Sequence, residues 1–362
     1  MSLFAPLDDT ERHGAVNGND VAGRRLSISY GSGFTDRRAS LPYTNGHTNG
    51  QEKVKPVKPP MAPGIYVPTV AFFERQTEEL DTATIEKHAT RLARAGVTGL
   101  VTHGSNGEAV HLSHSERMTV TSVTRRALDL ANYPEMCIIV GCGAQSTRET
   151  VRLCQEAHES GGDYALVLPP SYYRTLLTPQ MLLDYFLAVA DASPIPLVIY
   201  NFPGATSGLD LDSEQITALS RHRNIAAVKL TCGNTGKLAR IAHAADPGFL
   251  TMGGSADFIV QSLVVGGHGV IAGLANLAPK ACVRVMELYN KGDIEGARAM
   301  QAIVADGDWA TIKGGFVAVK SALETFYDYG GAPRKPCAAL ASKQREALRA
   351  ELSELMQLEM SL

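Results

Sequence analysis

The sequence has no apolar run close to the roughly 20 residues that a membrane-spanning helix needs, and no basic-then-apolar start of the secretory type. Its charges are nearly balanced, with 34 Lys and Arg against 37 Asp and Glu, and it has no long basic block. Phosphate backbones bind clustered cations, so a nucleic-acid partner is not expected. These absences exclude a membrane-spanning protein and favour a globular protein of the cytoplasm.

Close C-x-x-C pairs, which structural zinc sites prefer, are also missing. The six cysteines, at positions 137, 142, 154, 232, 282 and 337, lie mostly in apolar segments. This distribution predicts buried thiols in a reducing compartment. Hydrophobic residues make up 44% of the 362 residues, which is enough for one large globular domain or two small ones.

Residues 1–60 differ in composition from the rest of the chain, because Asn, Gly, Ser, Asp and Arg dominate and residues 55–60 are rich in proline. Such a segment predicts a disordered polar tail that ends in a stiff linker. Four acidic residues among the first 20 argue against a mitochondrial transit peptide, so mitochondria are the less favoured location. Ser27 and Ser40 come shortly after arginine pairs and resemble sites of basophilic kinases.

After residue 60, short runs rich in Val, Ile and Leu alternate with longer segments of helical period. The eight runs predicted to be strands are Ile65–Phe73, Val97–Thr102, Cys137–Val140, Tyr164–Leu168, Pro196–Tyr200, Ile225–Leu230, Phe249–Met252 and Gly269–Ala272. Strands that are apolar on both faces belong to a parallel sheet covered by helices. Eight such units favour an α/β fold, a (β/α)8 TIM barrel over residues 61–278, with an open doubly wound sheet as the alternative.

Residues 279–362 are predicted to supply the last barrel helix and a C-terminal helical extension of about three more helices. Two of these are expected at Ile294–Val304 and Thr311–Tyr327.

Lys229 lies near the end of the sixth predicted strand, where barrel enzymes place their reacting groups. An amine held among apolar residues loses hydration, which favours the neutral form that attacks a carbonyl to give a Schiff base. Tyr200 ends the fifth predicted strand, 229 − 200 = 29 residues earlier, so both side chains should meet at one rim on adjacent strands. A phenol beside an amine can move protons. A lysine paired with a carboxylate and a tyrosine with an ordinary hydrogen bond are the structural alternatives.

A short glycine-containing loop directly follows the second predicted strand. Gly104 and Gly107 flank Ser105 and Asn106, so successive backbone N–H groups can converge on a carboxylate while the Ser105 hydroxyl relays a proton. A plain turn between strand and helix is one alternative. The other is a metal site, suited to a metal-dependent aldolase or hydrolase, made of His103, Glu108, His111 and His114.

Several motifs occur in an order that is typical of one enzyme family. They are Gly104–Glu108, Pro170–Tyr173, Ser193–Pro196 leading to Tyr200, then Lys229, Gly253–Ala256 and Gly330–Gly331. Over about residues 64–340 the sequence therefore resembles the dihydrodipicolinate synthase/N-acetylneuraminate lyase family of class I aldolases. The resemblance implies that Lys229 forms a Schiff base with pyruvate or a 2-oxo acid, and that Tyr200 is the general acid/base. It also implies a proton relay through Ser105, joined by Tyr172 of a neighbouring subunit.

The same resemblance implies which residues hold the substrate. Ser105, Asn106, Gly254 and Ile271 are expected to contact it, with the substrate carboxylate on the backbone of Ser105 and Asn106. No metal and no organic cofactor are implied. The expected partners are a small 2-oxo acid and further copies of the chain, as a dimer or tetramer.

Departures from the family pattern narrow the expected substrate. Ala205 stands where dihydrodipicolinate synthases carry an arginine for the carboxylate of the aldehyde substrate, so that activity is not expected. Residues 64–70, 141–150 and 231–237 resemble the L-threo-3-deoxy-hexulosonate aldolases of this family, which implies cleavage of a 2-keto-3-deoxy sugar acid to pyruvate and glyceraldehyde. The alternative is a 4-hydroxy-2-oxoglutarate aldolase, which gives glyoxylate and shares the Gly208–Leu211 motif. A non-catalytic scaffold that binds partners through the tail is the third hypothesis.

Overall fold

Eight parallel strands close into a barrel in a computed structural model that describes residues 60–362. Each strand pairs with the next one along the chain, and the eighth closes the barrel on the first. The strands are β1 Gly64–Pro68, β2 Gly99–Thr102, β3 Cys137–Gly141, β4 Tyr164–Val167, β5 Leu197–Asn201, β6 Ile225–Leu230, β7 Leu250–Gly253 and β8 Gly269–Ile271. The predicted TIM barrel is therefore confirmed.

Helices cover the outside of the barrel between successive strands. They are α1 Thr82–Arg94, α2 His114–Leu130, α3 Thr147–Glu159, α4 Pro179–Ala192, α5 Ser213–Leu219, α6 Thr235–Ala244, α7 Ile259–Val264 and α8 Pro279–Asn290. Polar side chains fix several of their starts. Ser113 and Glu116 form a capping box at the start of α2, and Asp212 caps α5 by accepting from the backbone N–H of Gln215.

The alternation of side chains along each strand divides the apolar residues into two clusters. In β5, Val198 and Tyr200 belong to the cluster inside the barrel, whereas Leu197 and Ile199 pack outward under the helices. In β6 the inward residue is Ala227. A residue two positions further along a strand shares its face, so Lys229 points inward at the carboxyl end of β6.

The chain after α8 forms more helices than the sequence predicts. They are α9 Ile294–Ile312, α10 Gly315–Tyr327, α11 Ser342–Glu351 and α12 Ser353–Ser361. Helix α9 does not stop at Val304 but continues to Ile312. Gly307 within it leaves room for α12, because a Cβ atom there would overlap the side chain of Leu355.

Strand β1 is shorter than its apolar run, which predicts a strand as far as Phe73. It ends at Pro68, and Phe73 instead forms an isolated antiparallel bridge with Leu80.

No helix within residues 60–362 is both long enough and apolar enough to cross a bilayer. Most of the predicted tail, including Ser27 and Ser40, lies outside the described residues.

Candidate active site

Lys229 and Tyr200 are neighbours across the β5–β6 pair, as their spacing in the sequence predicts. The Lys229 Nζ atom lies 4.3 Å from the centroid of the Tyr200 ring. Both side chains are buried, with exposed fractions of 3% and 2%. Lys237 and Lys320 are also buried, but each of these forms an ion pair, with Asp210 and Glu108. The Lys229 amine instead faces an aromatic ring at the rim of the barrel.

The Ser105 hydroxyl extends this pair into a chain of three polar groups. Ser105 Oγ lies 3.3 Å from Tyr200 Oη, close enough for a proton to pass between the two hydroxyl groups. The loop that carries Ser105 is closed by its own backbone, because the Gly107 N–H group donates to the Gly104 carbonyl oxygen at 3.0 Å. Strand β2 thus supplies a proton-handling group to the tyrosine of β5.

These three side chains line a cavity of about 540 Å³ at the carboxyl ends of the strands. Its other lining residues are Pro68, Asn106, Phe202, Thr231, Cys232, Gly233, Gly254, Ser255, Asp257, Phe258, Gly273, Asp308, Thr311, Ile312, Gly315 and Val319. The volume suits a small organic acid. The last five residues come from α9 and α10, so the C-terminal extension forms one wall.

The predicted site residues do not all meet in this cavity. Asn106 and Gly254 line it together with the catalytic candidates. Ile271 lies in β8, fully buried in the cluster inside the barrel. Tyr172 is on the surface of this chain, 77% exposed and packed edge-on against Tyr173 at 5.0 Å. The single chain therefore brings Lys229, Tyr200, Ser105 and Asn106 together at the cavity, but not Tyr172.

Two carboxylates and one amine give the cavity its charge. Among the lining residues of the described chain, Lys229 is the only basic side chain, while Asp257 and Asp308 are acidic. Burial raises the pKa of the Asp257 carboxyl group. Its Oδ1 atom and the Thr231 Oγ1 atom are buried without a hydrogen-bond partner among the described residues.

Asp308 joins α9 to the loop that follows β7. Its Oδ2 atom accepts hydrogen bonds from the Ser255 hydroxyl and the Ala256 N–H group, each at 2.6 Å, and from the Asp257 N–H group at 3.0 Å. Burial raises the pKa of Asp308 to about 6, although these hydrogen bonds act in the opposite direction. The carboxylate thereby holds the loop that also carries Gly254.

Asp308 and its neighbours on α9 are the functional candidates that sequence reasoning misses. The repeat of strand and helix indicates which residues lie at strand ends, but it does not indicate that a helix added after the eighth unit returns to the mouth of the barrel. Gly307-Asp308 also looks like a helix break. An acidic residue at a helix position that should be apolar is the one signal that could have indicated it.

Of the residues of the alternative metal site, Glu108 and His111 contact each other at 3.0 Å, and the other two have separate partners. His103 is buried and contacts the Arg117 carbonyl oxygen and the Thr121 hydroxyl, and burial lowers its pKa to about 3. His114 lies between Glu149 and Glu156 on α3. Within residues 60–362, no three His, Cys, Asp or Glu side chains are grouped as metal ligands.

Comparison with known proteins places this architecture in a family. Residues 61–355 match the model of the dihydrodipicolinate synthetase family, and the chain belongs to that family. A protein named probable 4-hydroxy-2-oxoglutarate aldolase, mitochondrial, from Emericella nidulans is 60% identical over 84% of this chain and 98% of its own length.

Two further relatives agree with this assignment. An L-threo-3-deoxy-hexylosonate aldolase from Hypocrea jecorina is 46% identical over 84% of this chain and 99% of its own. The crystal structure of a dihydrodipicolinate synthase family protein from Coccidioides immitis superposes with a TM-score of 0.76 at 35% identity, covering 83% of this chain and 98% of that one. The resemblance inferred from the motifs is thus confirmed.

Proposed function

We propose that this protein is a class I aldolase that cleaves a 2-keto-3-deoxy sugar acid, L-threo-3-deoxy-hexulosonate, to pyruvate and glyceraldehyde. The observation that carries the proposal is the buried pair of Lys229 and Tyr200 at the mouth of the barrel, with the Ser105 hydroxyl in contact with the Tyr200 hydroxyl. A buried amine beside a proton-transferring phenol is what Schiff-base chemistry on a 2-oxo acid requires.

The proposed reaction needs only these side chains and one water. The Lys229 amine adds to the C2 ketone and water leaves, which gives a protonated imine. Tyr200, whose proton has passed through Ser105 to the hydroxyl group that leaves C2 as water, takes the proton of the C4 hydroxyl group as the C3–C4 bond breaks, and the bonding electrons move into the imine. The aldehyde leaves, the resulting enamine is protonated at C3, and water releases pyruvate and the free amine.

The charge of the cavity supports a substrate with an uncharged tail. The first carboxylate of either candidate substrate would lie on the backbone of the Ser105–Asn106 loop. A second carboxylate, as in 4-hydroxy-2-oxoglutarate, would meet Asp257 and Asp308 without a basic partner from the described lining residues. The uncharged hydroxyl groups of a sugar acid would meet no such repulsion.

The alternative is retained because of the name of a similar protein. The 60% identical protein from Emericella nidulans carries the name of a 4-hydroxy-2-oxoglutarate aldolase. Assays of both substrates side by side, with pyruvate detection, decide between them. We expect a higher kcat/KM for the sugar acid, and a relative gain for the dicarboxylate in Asp257→Asn. A higher kcat/KM of the wild type for 4-hydroxy-2-oxoglutarate would establish the alternative.

The Schiff base has its own test. Borohydride reduction in the presence of pyruvate should leave a stable adduct on Lys229, detected by peptide mass spectrometry. Lys229→Ala should abolish both the adduct and turnover, whereas Lys291→Ala, which removes an exposed lysine, should change neither. An adduct that persists in Lys229→Ala would reject this lysine as the nucleophile.

We further propose that Tyr172 acts in the site of a neighbouring subunit of a dimer or tetramer. Tyr172 is exposed beside other exposed apolar side chains, Tyr173 and Leu176, which is unfavourable on a surface that stays in water. Mixed oligomers of Lys229→Ala and Tyr172→Phe subunits test this. A Tyr172 that crosses the interface restores one intact site in each mixed pair, whereas a Tyr172 that acts within its own chain restores none.

A further inference from the structure

A fully buried ion pair connects the loop that carries Ser105 and Asn106 to the C-terminal extension. Glu108 ends the loop that follows β2, and its Oε1 atom lies 2.8 Å from the Nζ atom of Lys320 in α10. Both side chains have 0% exposure. The amine also lies 4.7 Å from the centroid of the Phe73 ring, in the segment that follows β1. Neither residue lines the substrate cavity among the described residues.

The second oxygen of Glu108 holds two more parts of the chain. Its Oε2 atom lies 3.0 Å from His111 Nδ1 and accepts a hydrogen bond from the Arg334 backbone N–H group, also at 3.0 Å. The carboxylate therefore binds α10, the turn after the loop and the segment that follows α10. Such a carboxylate has little freedom to move.

Stability alone does not explain this arrangement. Burying two charges is unfavourable, and apolar side chains of similar volume often stabilise a fold as well or better. In addition, Glu108 adopts a left-handed backbone conformation with φ of 51°, which side chains other than glycine disfavour. Strained and buried polar groups of this kind are concentrated near functional sites.

Because Glu108 is held in place, the positions of Ser105 and Asn106 are restricted as well. The Glu108 N–H group donates to the Ser105 carbonyl oxygen at 3.3 Å, so the anchored residue closes the turn that presents both residues to the cavity. The turn is also tight on its far side, because a Cβ atom at Gly273 would lie 2.7 Å from Asn106 Nδ2. A small shift of the loop would break the 3.3 Å contact between Ser105 and Tyr200.

We propose that Glu108 and Lys320 are positioning residues, whose ion pair sets the place of the Ser105–Asn106 loop against Tyr200 and the substrate carboxylate. The inference rests on the proposed aldolase function. It assigns to the C-terminal helix α10 a part in the proton relay, although Lys320 itself touches neither the substrate nor Lys229.

The test distinguishes a displaced loop from a smaller amount of folded protein, since both would lower the total activity. Borohydride trapping with saturating pyruvate counts the sites in which Lys229 is competent, and kcat is then expressed per trapped site. In Lys320→Met we expect trapping to persist while kcat per trapped site falls at least tenfold. Lys313→Met, which breaks an exposed ion pair with Glu351 in the same extension, should leave both values unchanged. An unchanged kcat per trapped site in Lys320→Met would overturn the proposal.

A double-mutant cycle shows whether the effect passes through the loop. At saturating substrate, Ser105→Ala combined with Lys320→Met should lose little more kcat than the larger single loss, because both changes disable one relay. A loss equal to the product of the two single losses would overturn the proposal. If Lys320→Met does not fold, Glu108→Gln/Lys320→Met removes both charges, and the same two measurements apply to it. Absence of a pyruvate adduct in the wild type would instead reject the proposed function.

Discussion

Tyr200 presents its ring to one neighbour and its hydroxyl group to another. The ring lies beneath the Lys229 amine and stacks on Phe202 at 5.7 Å, while the hydroxyl group contacts Ser105. The two contacts can be separated, because phenylalanine keeps the ring and removes only the oxygen. The structure thus allows the environment of the Lys229 amine and the proposed proton relay to be altered independently.

Tyr200→Phe should therefore form the pyruvate adduct on Lys229 but turn over poorly. General acid–base groups typically contribute about 10²–10⁴-fold to a rate, and we expect a loss of kcat within that range. Steady-state kinetics together with borohydride trapping measure the two effects. A variant with wild-type kcat would show that another group takes the proton from the C4 hydroxyl group.

Asp308 should make stability depend on pH in the opposite direction to most carboxylates. Its pKa of about 6 lies above the ordinary value of 3.8, so its contribution to stability is present at low pH and is lost as the pH rises through 6. Between pH 4 and pH 7, Asp308→Asn should gain about 2 kcal/mol relative to the wild type. Urea unfolding at both pH values measures this. Asp306→Asn, on the exposed face of the same helix, should show no such trend.

Sequence reasoning identifies Lys229, Tyr200 and Ser105 because each lies at or just after the end of a strand, where the fold itself brings residues together. Asp308 and Lys320 are not identifiable in this way. Their roles depend on α9 and α10 returning across the mouth of the barrel, and that return is decided by packing between distant segments. The hydrophobic periodicity within one segment carries no information about which distant segment it packs against.

Among the elements, the strands follow the sequence most closely, because residues buried on both faces of a sheet leave an uninterrupted apolar run. The run after β1 is an exception. Residues 70–73 are apolar and buried although they are not part of a strand, and the ring of Phe73 contacts the Lys320 amine. Helix α9 is the reverse case, since its Gly307 looks like a break but makes room for Leu355.

The end of β3 shows how closely two elements of the barrel approach. A Cβ atom at Gly141 would overlap the carbonyl oxygen of His103, the residue just before the Gly104 loop. Gly141→Ala should cost about 3 kcal/mol of stability, because backbone atoms cannot yield as a flexible side chain can. It should also displace the Ser105 loop and lower kcat. Chemical denaturation and kinetics measure the two effects.

The matched control is Gly236→Ala in α6, where the nearest atom to the new Cβ is Asn234 Oδ1 at 3.4 Å. Alanine favours a helix over glycine by up to about 1 kcal/mol, so this variant should be as stable as the wild type or slightly more stable. Equal losses in both variants would show that the approach of His103 to Gly141 has no special cost.

For the molecule as a whole, the N-terminal 60 residues distinguish the enzyme from the scaffold hypothesis. A chain that lacks them should keep its turnover, because every lining residue of the described cavity lies at or after Pro68. Kinetics of the full chain and of the shortened chain provide the measurement. A shortened chain that folds but loses both turnover and the pyruvate adduct would show that the tail takes part in catalysis.

The same shortened chain tests which cellular compartment contains the protein. The cytoplasm is the prediction from the acidic residues of the tail, whereas the relative from Emericella nidulans is named as mitochondrial. Cell fractionation of the full and shortened chains decides between the two. Recovery of the full chain in mitochondria, and of the shortened chain outside them, would show that the tail acts as a targeting signal.

The wall that α9 and α10 add to the cavity also sets an order of events during protein synthesis. A ribosome that has translated as far as β8 has already made Lys229, Tyr200 and Ser105, yet neither Asp308 nor the Lys320 partner of Glu108 exists at that point. The growing polypeptide thus carries the Lys229 amine before it can enclose the cavity on that side. Premature termination between β8 and α10 would yield a barrel whose mouth stays open to water on that side.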